Sequence, residues 1–245
     1  MAALILVDSR KLPRLSADEV HLWQIELKAA PTQLAQMAAS LSQDERQRAN
    51  RFVKAGDKER FIIAHCAMRH ILANYLNVEP NALTYIYNAQ GKPGLAACPL
   101  NFNLSHSHER ALFALSYHPA VGVDIEYMEN KLELSAIADL FFTSQENKYL
   151  QAAPQQQKIF AFYQGWTRKE AFIKAKGLGL SYPIQALNVC LDTKLPGEEV
   201  AMQGYAAQGY KLFALPACDN YAAALAVSGT LKQIYFSQWQ AIGTE

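Results

Sequence analysis

The chain has 245 residues, of which 51% are hydrophobic and 18% charged, so it can build a sizeable core and is neither a disordered nor a disulfide-stapled protein. Its formal net charge of +1 argues against a strongly basic nucleic-acid binder. No apolar run approaches the roughly 18 residues of a membrane span. The four cysteines lack CxxC spacing, which suits a reducing compartment. We therefore expect a cytoplasmic protein that binds neither nucleic acid nor membrane.

The hydrophobic pattern of the first half predicts strands and one long helix. The chain starts with an apolar run that indicates a strand rather than a signal peptide, because it has no basic segment before it. The sequence Ser42-x-x-Glu45 is a capping box and opens a helix. The other elements expected in this half are Val20–Leu27, Thr84–Tyr87 and Ala111–Tyr117 as strands, and Thr32–Ala39 and Asp57–Leu76 as helices.

The second half repeats this composition of elements. We expect strands at Val121–Tyr127, Leu187–Leu191, Lys211–Leu215, Tyr221–Val227 and Gln233–Phe236, and helices at Leu134–Phe142 and Pro154–Lys176. No sequence repeat between the halves is evident. The sequence nevertheless predicts an α+β fold of two packed lobes, residues 1–119 and 120–245. Residues 1–119 carry 13 basic and 10 acidic side chains, and residues 120–245 carry 10 and 12.

Two carboxylates share one face of a predicted strand. Side chains alternate along a strand, so Asp124 and Glu126 point to the face opposite Val123 and Ile125. Neighbouring carboxylates repel unless water, a pKa shift or a shared cation relieves them. Hard oxygen ligands suit Mg²⁺, which leaves a magnesium site and a solvated strand face as the two interpretations.

A third carboxylate lies on the apolar stripe of the long C-terminal helix. Glu170 is four residues after Trp166 and three before Ile173, and Lys174 follows it by one turn. A carboxylate on such a stripe is costly unless it is paired or binds a metal. The pair is therefore either an acid–base pair or an ordinary helix-surface ion pair.

A polar segment follows an apolar alternation at residues 101–108. Ser105 and His106 are adjacent, so in a strand they point apart and make a poor nucleophile–base pair. No G-x-S-x-G elbow, P-loop or dinucleotide fingerprint is present. We interpret the segment as a loop that donates hydrogen bonds to a phosphate, with a strand end carrying surface histidines as the alternative.

Taken together, these segments resemble the 4′-phosphopantetheinyl transferase superfamily, and in particular its longer, surfactin-synthetase-type (Sfp-like) branch. The order and spacing of five motifs carry the resemblance: Gly91–Pro93, Phe102–Ser107, Gly122–Glu126, Phe141–Glu146 and Trp166–Lys174. The resemblance covers most of the chain and fades over the last 60 or so residues. It implies a pseudo-dimer of two similar α+β lobes, each a small sheet packed on a long helix, with the active site in the cleft between them.

The resemblance also implies a reaction. Such enzymes move 4′-phosphopantetheine from coenzyme A to a serine of an apo carrier protein, require Mg²⁺ and release adenosine 3′,5′-bisphosphate. Partners would be acyl, aryl or peptidyl carrier proteins of fatty-acid, polyketide or nonribosomal peptide synthesis, and the enzyme would be a monomer.

Site residues carry over position by position. Asp124, Glu126 and Glu170 match the metal-binding carboxylates, with Glu170 also a candidate base, and Lys174 matches a lysine that steadies the leaving phosphate. The residues that match contacts to coenzyme A are Arg48, Arg60, Lys92, Ser105 and His106. Glu45 stands where some relatives have a basic residue, and Glu146 matches an acid whose role is open. The base is Glu170, Glu146 or a metal-bound water.

Two other functions use the same residues. A metal-dependent phosphoesterase would use water as acceptor and would cleave coenzyme A without a protein partner. A non-catalytic module that binds coenzyme A or a carrier protein would have no need of Glu170 and Lys174.

Overall fold

The computed structural model describes residues 2–129, 134–179, 182–204, 207–218 and 220–241, without the side chains of residues 134 and 135. A five-stranded sheet, the first sheet, has the order β1-β13-β2-β6-β5. Its strands are β1 (Ala3–Leu6), β2 (Glu19–Glu26), β5 (Asn101–Ser107), β6 (Arg110–Ser116) and β13 (Gln233–Gln238). Strand β13 runs parallel to both β1 and β2, and the other pairs are antiparallel.

A four-stranded antiparallel sheet, the second sheet, has the order β7-β12-β11-β9. Its strands are β7 (Val121–Tyr127), β9 (Glu199–Val200), β11 (Tyr210–Ala214) and β12 (Tyr221–Ser228). Two short antiparallel pairs lie outside the sheets: β3 (Tyr85–Tyr87) with β4 (Pro93–Leu95), and β8 (Asn188–Val189) with β10 (Met202–Gln203).

Each lobe has a short capped helix followed by a helix of 22 residues. The first lobe contains α1 (Pro31–Ala39), α2 (Gln43–Ala49) and α3 (Ala55–Leu76); the second contains α4 (Leu134–Phe141), α5 (Ser144–Ala152) and α6 (Gln155–Lys176). The long helices α3 and α6 end at residues in the left-handed conformation, Asn77 (φ 53°) and Gly177 (φ 69°). The expected α+β pseudo-dimer is confirmed, and the repeat that letter-by-letter comparison does not reveal is evident in the structure.

The two sheets share a core between them. Strand β12 contributes to two cores. Its alanines Ala222, Ala224 and Ala226 pack in the core that contains α6, whereas Leu225 and Val227 pack in the core between the sheets. The same intersheet core contains Leu22 of β2 and residues of β6, β7 and β13. The order of layers is therefore α3, first sheet, second sheet, α6.

Helix α6 lies unusually close to β7 at one glycine. A Cβ atom on Gly122 would be 2.2 Å from the Ala171 carbonyl oxygen and 2.3 Å from the Ala175 nitrogen. Only glycine permits this approach. The strand that carries Asp124 and the helix that carries Glu170 and Lys174 are consequently in direct backbone contact.

Some elements differ from the expectations. Helix α5 was not expected, since only its capping motif is distinctive, and the strand expected at Leu187–Leu191 is limited to Asn188–Val189. Residues 101–107 form a complete strand, so the interpretation of the polar segment at residues 101–108 as a loop is wrong. The final strand β13 leaves the second half of the chain and joins the first sheet, and the division at residue 119 stays a prediction.

No helix in the described part of the chain has both the length and the apolar character needed to cross a membrane.

Candidate active site

The candidate site lies where the edge strands of the two sheets meet. Strand β5 ends the first sheet and β7 ends the second, and side chains of β5 bind backbone amides of β7. Asn103 accepts the Val123 amide at 2.8 Å, and the Ser107 hydroxyl accepts the Tyr127 amide at 3.1 Å. Alternate residues of β5 therefore replace the missing strand partner of β7 and hold its carboxylates at the lobe boundary.

Asp124 is the centre of a buried polar cluster. The hydroxyl of Ser105 donates to its Oδ1 atom at 2.8 Å, and the ammonium of Lys174 donates to the same oxygen at 2.5 Å and to Ser105 Oγ at 2.8 Å. The other oxygen of Asp124, Oδ2, is buried with no hydrogen-bond partner. Lys174 therefore pairs with a carboxylate on a different element, which argues against the ordinary helix-surface ion pair with Glu170.

The two neighbouring carboxylates carry raised pKa values. Burial, followed by repulsion from Asp124, raises the pKa of Glu170 to about 7, and Lys174 opposes the rise. Burial and Asp124 also raise the pKa of Glu126, although the Ser107 hydroxyl donates to its Oε2 atom at 2.7 Å. Asp124 thus lies close enough to both glutamates to disfavour their charged forms.

The donor set fits a hard divalent cation. Asp124 Oδ2 and Glu170 Oε1 are buried without partners, and such orphaned oxygens are costly unless a cation or proton satisfies them. Within the described residues no three histidine, cysteine, aspartate or glutamate side chains form an assembled metal cluster. Mg²⁺ is commonly held by one or two carboxylates together with substrate phosphates, so an incomplete protein shell suits it.

His106 connects the basic side chains of the first lobe with this cluster. His106 is exposed on β5, yet surrounding protein atoms lower its pKa, and the positive charges of Lys174, His65 and Arg60 add to that shift. Arg60 donates to Asp57 at 2.5 Å, one turn earlier on α3. The Arg48 guanidinium lies 5.5 Å from the centre of the Phe61 ring. The structure therefore brings His106 within electrostatic range of both Lys174 and Arg60.

Two expected phosphate contacts have other partners in this structure. The Ser105 hydroxyl is engaged with Asp124 and Lys174. The Lys92 ammonium donates to the carbonyls of Val121 at 2.9 Å and Lys174 at 2.6 Å. That either residue contacts coenzyme A stays a prediction.

Comparisons with known proteins agree with this arrangement. Residues 26–117 match the N-terminal 4′-phosphopantetheinyl transferase family, and residues 120–226 match the 4′-phosphopantetheinyl transferase superfamily. The chain is 39% identical over 219 residues to the 4′-phosphopantetheinyl transferase HetI of Nostoc sp., and the match covers 88% of this chain and 90% of that relative. The chain belongs to the 4′-phosphopantetheinyl transferase superfamily. This transferase is also 30% identical over 152 residues to the 4′-phosphopantetheinyl transferase Sfp of Bacillus subtilis, covering 62% of this chain and 66% of Sfp.

The transferase has two buried charged residues whose roles the sequence left open. Glu146 closes the capping box of α5 with Thr143, accepts the Val189 amide at 2.7 Å and pairs with Lys169 at 2.7 Å. Its contacts hold α5, α6 and β8 together, so the structure gives it a structural role.

Glu45 is its counterpart in the first lobe. Glu45 caps α2 with Ser42, accepts from His65 at 2.9 Å and pairs with Arg69 at 2.5 Å. Burial opposes its ionisation, but these hydrogen bonds prevail and lower its pKa to about 2. The position at which the resemblance led us to note an acid is therefore occupied by a buried carboxylate that is already paired. The sequence contains a signal for this correspondence between the lobes. Glu146 follows Glu45 by 101 residues and Lys169 follows Arg69 by 100, so the two ion pairs have nearly the same spacing.

Proposed function

We propose that the enzyme transfers 4′-phosphopantetheine from coenzyme A to a serine hydroxyl of an apo carrier protein, with Mg²⁺, and releases adenosine 3′,5′-bisphosphate. One observation carries this proposal: a family member presents orphaned oxygens of Asp124 and Glu170 beside the ammonium of Lys174 at the lobe boundary. A pyrophosphate needs a cation between it and such carboxylates, and a lysine can neutralise the leaving phosphate.

The reaction is a displacement at phosphorus. The serine oxygen forms a bond to the phosphorus that bears pantetheine, and the bond from that phosphorus to the bridging pyrophosphate oxygen breaks. Glu170 takes the serine proton; its pKa of about 7 suits a base that works near neutral pH. Lys174 faces the leaving oxygen and stabilises its charge. Asp124, Glu126 and Glu170 would hold Mg²⁺, which when bound neutralises pyrophosphate charge.

The basic side chains of the first lobe bind the part of coenzyme A that does not react. Arg48 and Arg60 would contact the 3′-phosphoadenosine, and His106 would lie nearer the pyrophosphate. Arginine suits this role because its guanidinium can bind a phosphate through two parallel hydrogen bonds. Substrate binding then requires both lobes, as expected for a cleft site.

The decisive experiment is mass spectrometry of apo carrier proteins after incubation with enzyme and coenzyme A, with Mg²⁺ or with a chelator. We expect one phosphopantetheine group to be gained on an acyl, aryl or peptidyl carrier only when Mg²⁺ is present, and relative rates to give the preferred carrier class. No gain on any carrier would contradict the proposal. Release of adenosine 3′,5′-bisphosphate without a carrier would instead support a metal-dependent phosphoesterase, and binding without either reaction would support a non-catalytic module.

We also propose that the enzyme is a cytoplasmic monomer. The pseudo-dimer places residues from both lobes of one chain at the same cleft, so a second copy is not needed to complete the site. Light scattering after size exclusion should give the mass of one chain, 27.3 kDa; a dimer mass would contradict this part of the proposal.

A further inference from the structure

The turn between β3 and β4, residues 88–92, contacts the C-terminal end of α6 in the other lobe. Asn88 Nδ2 donates to the Gly177 carbonyl at 2.9 Å, and Lys92 Nζ donates to the Lys174 carbonyl at 2.6 Å. The last carbonyls of a helix have no partner within the helix. This turn, the capping turn, therefore supplies from the other lobe a donor to the Gly177 carbonyl and a second donor to the Lys174 carbonyl, which also accepts the Gly177 amide at 3.2 Å.

Lys92 also reaches the strand that carries Asp124. Its ammonium donates to the Val121 carbonyl at 2.9 Å, at the start of β7. A single cation thus ties together β7 and the end of α6, beside the close contact at Gly122. These two elements supply Asp124, Glu126, Glu170 and Lys174.

The capping turn is shaped before it contacts α6. The Asn88 side chain accepts the amides of Gln90 at 3.0 Å and Lys92 at 2.8 Å, so its own amide group is fixed in direction. A Cβ atom on Gly177 would be 3.0 Å from Asn88 Nδ2, and Gly177 also has a φ of 69°. Both facts indicate that the end of α6 packs closely against this turn.

The positive charge is placed where a helix end attracts it. The C-terminal end of a helix carries partial negative charge, and a lysine there stabilises it. Burial lowers the pKa of Lys92 to about 8. With two of its three donors on carbonyls, the ammonium has little capacity left for a phosphate.

We propose that Lys92, with Asn88, is a positioning residue that fixes Lys174 against Asp124 by capping α6 and holding the start of β7. This inference rests on the proposed function and replaces a direct contact between Lys92 and coenzyme A. Lys92 acts through the backbone of Lys174, so its loss affects the chemical step more than the binding of coenzyme A.

Steady-state transfer to an apo carrier distinguishes the two roles. Lys92→Met keeps the aliphatic chain and removes the donors; we expect kcat to fall at least tenfold while KM for coenzyme A changes less than twofold. Asn88→Ala, which removes no charge, should reproduce the fall in kcat to a smaller degree. Lys211→Met is the matched control, because Lys211 forms a surface ion pair with Glu199, and it should match wild type.

A double variant tests whether Lys92 acts through Lys174. In the Lys174→Met background, adding Lys92→Met should lower kcat by less than a further twofold, because the group it positions is absent. A purely structural role, or an independent phosphate contact, would instead give the full loss again. A raised KM for coenzyme A with unchanged kcat, or unchanged kinetics in both single variants, would also overturn the inference. If Lys92→Met does not fold, Asn88→Ala in both backgrounds gives the same decision.

Hydrogen exchange separates this inference from the proposed function. In the absence of substrates, Lys92→Met should raise amide exchange at least threefold in residues 173–179, while Lys211→Met leaves it unchanged. If wild type transfers nothing to any carrier, the proposed function fails, and the exchange measurement still decides the capping contact. Unchanged exchange in the Lys92 variant would overturn that contact.

Discussion

At the residue scale, the site is defined by two glutamates whose ionisation is opposed by burial and by the neighbouring Asp124. Asp124 makes two short contacts through one oxygen and leaves the other buried and unpaired, while Glu126 and Glu170 have raised pKa values. A protein folded for stability alone would not place three acids here. The arrangement stores electrostatic repulsion that a cation can relieve.

Glu170→Gln should change stability in a pH-dependent way. A carboxyl whose pKa is raised by folding stabilises the protein below its unfolded pKa of 4.5, and this stabilisation is lost as the pH rises through about 7. The variant should therefore become more stable relative to wild type between pH 4.5 and pH 8, by up to about 3 kcal/mol. Urea unfolding in chelator at several pH values measures this. A difference that does not depend on pH would show that Glu170 ionises normally.

The same variant should lose catalysis but keep its substrate. Glutamine retains the size of Glu170 and removes basicity and charge, so kcat should fall by about 10²-fold or more with little change in coenzyme A binding. Asp139→Asn is a suitable control, because it removes a carboxylate of α4 in the same lobe. Full activity in Glu170→Gln would reject its role as base.

Arg48→Ala and Arg60→Ala should raise KM for coenzyme A more than they lower kcat. Their proposed contacts are to the 3′-phosphoadenosine, which does not react, and uniform binding of that kind acts mainly on KM. Dephospho-coenzyme A lacks the 3′-phosphate, so discrimination against it should shrink in both variants and persist in Arg10→Ala, whose partner is Asp8. Undiminished discrimination against dephospho-coenzyme A would show that neither arginine contacts the 3′-phosphate.

At the element scale, the positions of β7 and α6 determine the site. The capping boxes of α2 and α5, the 22-residue helices and the paired buried charges recur in both lobes, whereas the carboxylate cluster lies on β7 and α6 of the second lobe. Gly122 sets the distance between β7 and α6 because no side chain fits there.

Gly122→Ala should therefore lower both stability and turnover. The added Cβ atom meets backbone atoms of Ala171 and Ala175 rather than flexible side chains. Overpacking of this kind costs about 1–3 kcal/mol, and a shift of α6 would displace Glu170 and Lys174. Gly94→Ala is the control, since its Cβ atom would lie 3.9 Å from Ile86, an ordinary contact distance. Equal behaviour of the two variants in denaturation and transfer assays would contradict the close approach.

How much of the site could be predicted differs between residues for physical reasons. Strand alternation placed Asp124 and Glu126 together, and helix spacing placed Glu170 and Lys174 together, because both rules are local. Local rules could not show that Lys174 pairs with Asp124, which lies 50 residues away. They likewise could not assign the ammonium of Lys92 to helix carbonyls, since helix caps supplied from another lobe leave no periodic pattern.

The fold class, unlike these contacts between distant residues, could be predicted from local patterns. Each lobe repeats strands and one long helix, and amphipathic patterns report such elements directly. Helix α5 was missed because its burial depends mainly on Glu146 and Leu150 rather than on an apolar stripe. The position of β13 could not be predicted, since nothing in its sequence specifies β1 and β2 of the first half as its partners.

At the scale of the whole molecule, the intersheet core makes the two lobes one cooperative unit. Residues of six strands pack between the sheets, and Ile234 of β13 is fully buried among them. Because both lobes lose this core together, we expect a single unfolding transition.

Ile234→Ala should destabilise both lobes equally. Truncation of a buried isoleucine costs about 2–5 kcal/mol. Urea unfolding followed by Trp23 in the first lobe and Trp166 in the second, each retained as the single tryptophan, should give coincident midpoints that shift together. Val53→Ala, at a fully exposed position, should leave both midpoints in place. Separate midpoints would show that the lobes unfold independently.

The parallel insertion of β13 has a consequence for synthesis on the ribosome. In the described chain, β1 joins its sheet through β13, so the first described strand is bonded to the last one, which is translated after the other strands of both sheets. While the second lobe is being synthesised, one edge of β2 is unpaired and can form unwanted strand pairs. A nascent chain can fold α3 and the β2–β6–β5 part of the sheet early, but the first lobe closes only when residues 233–238 leave the tunnel. In the described chain, the first sheet is thereby completed only after the strands of the second sheet have been made.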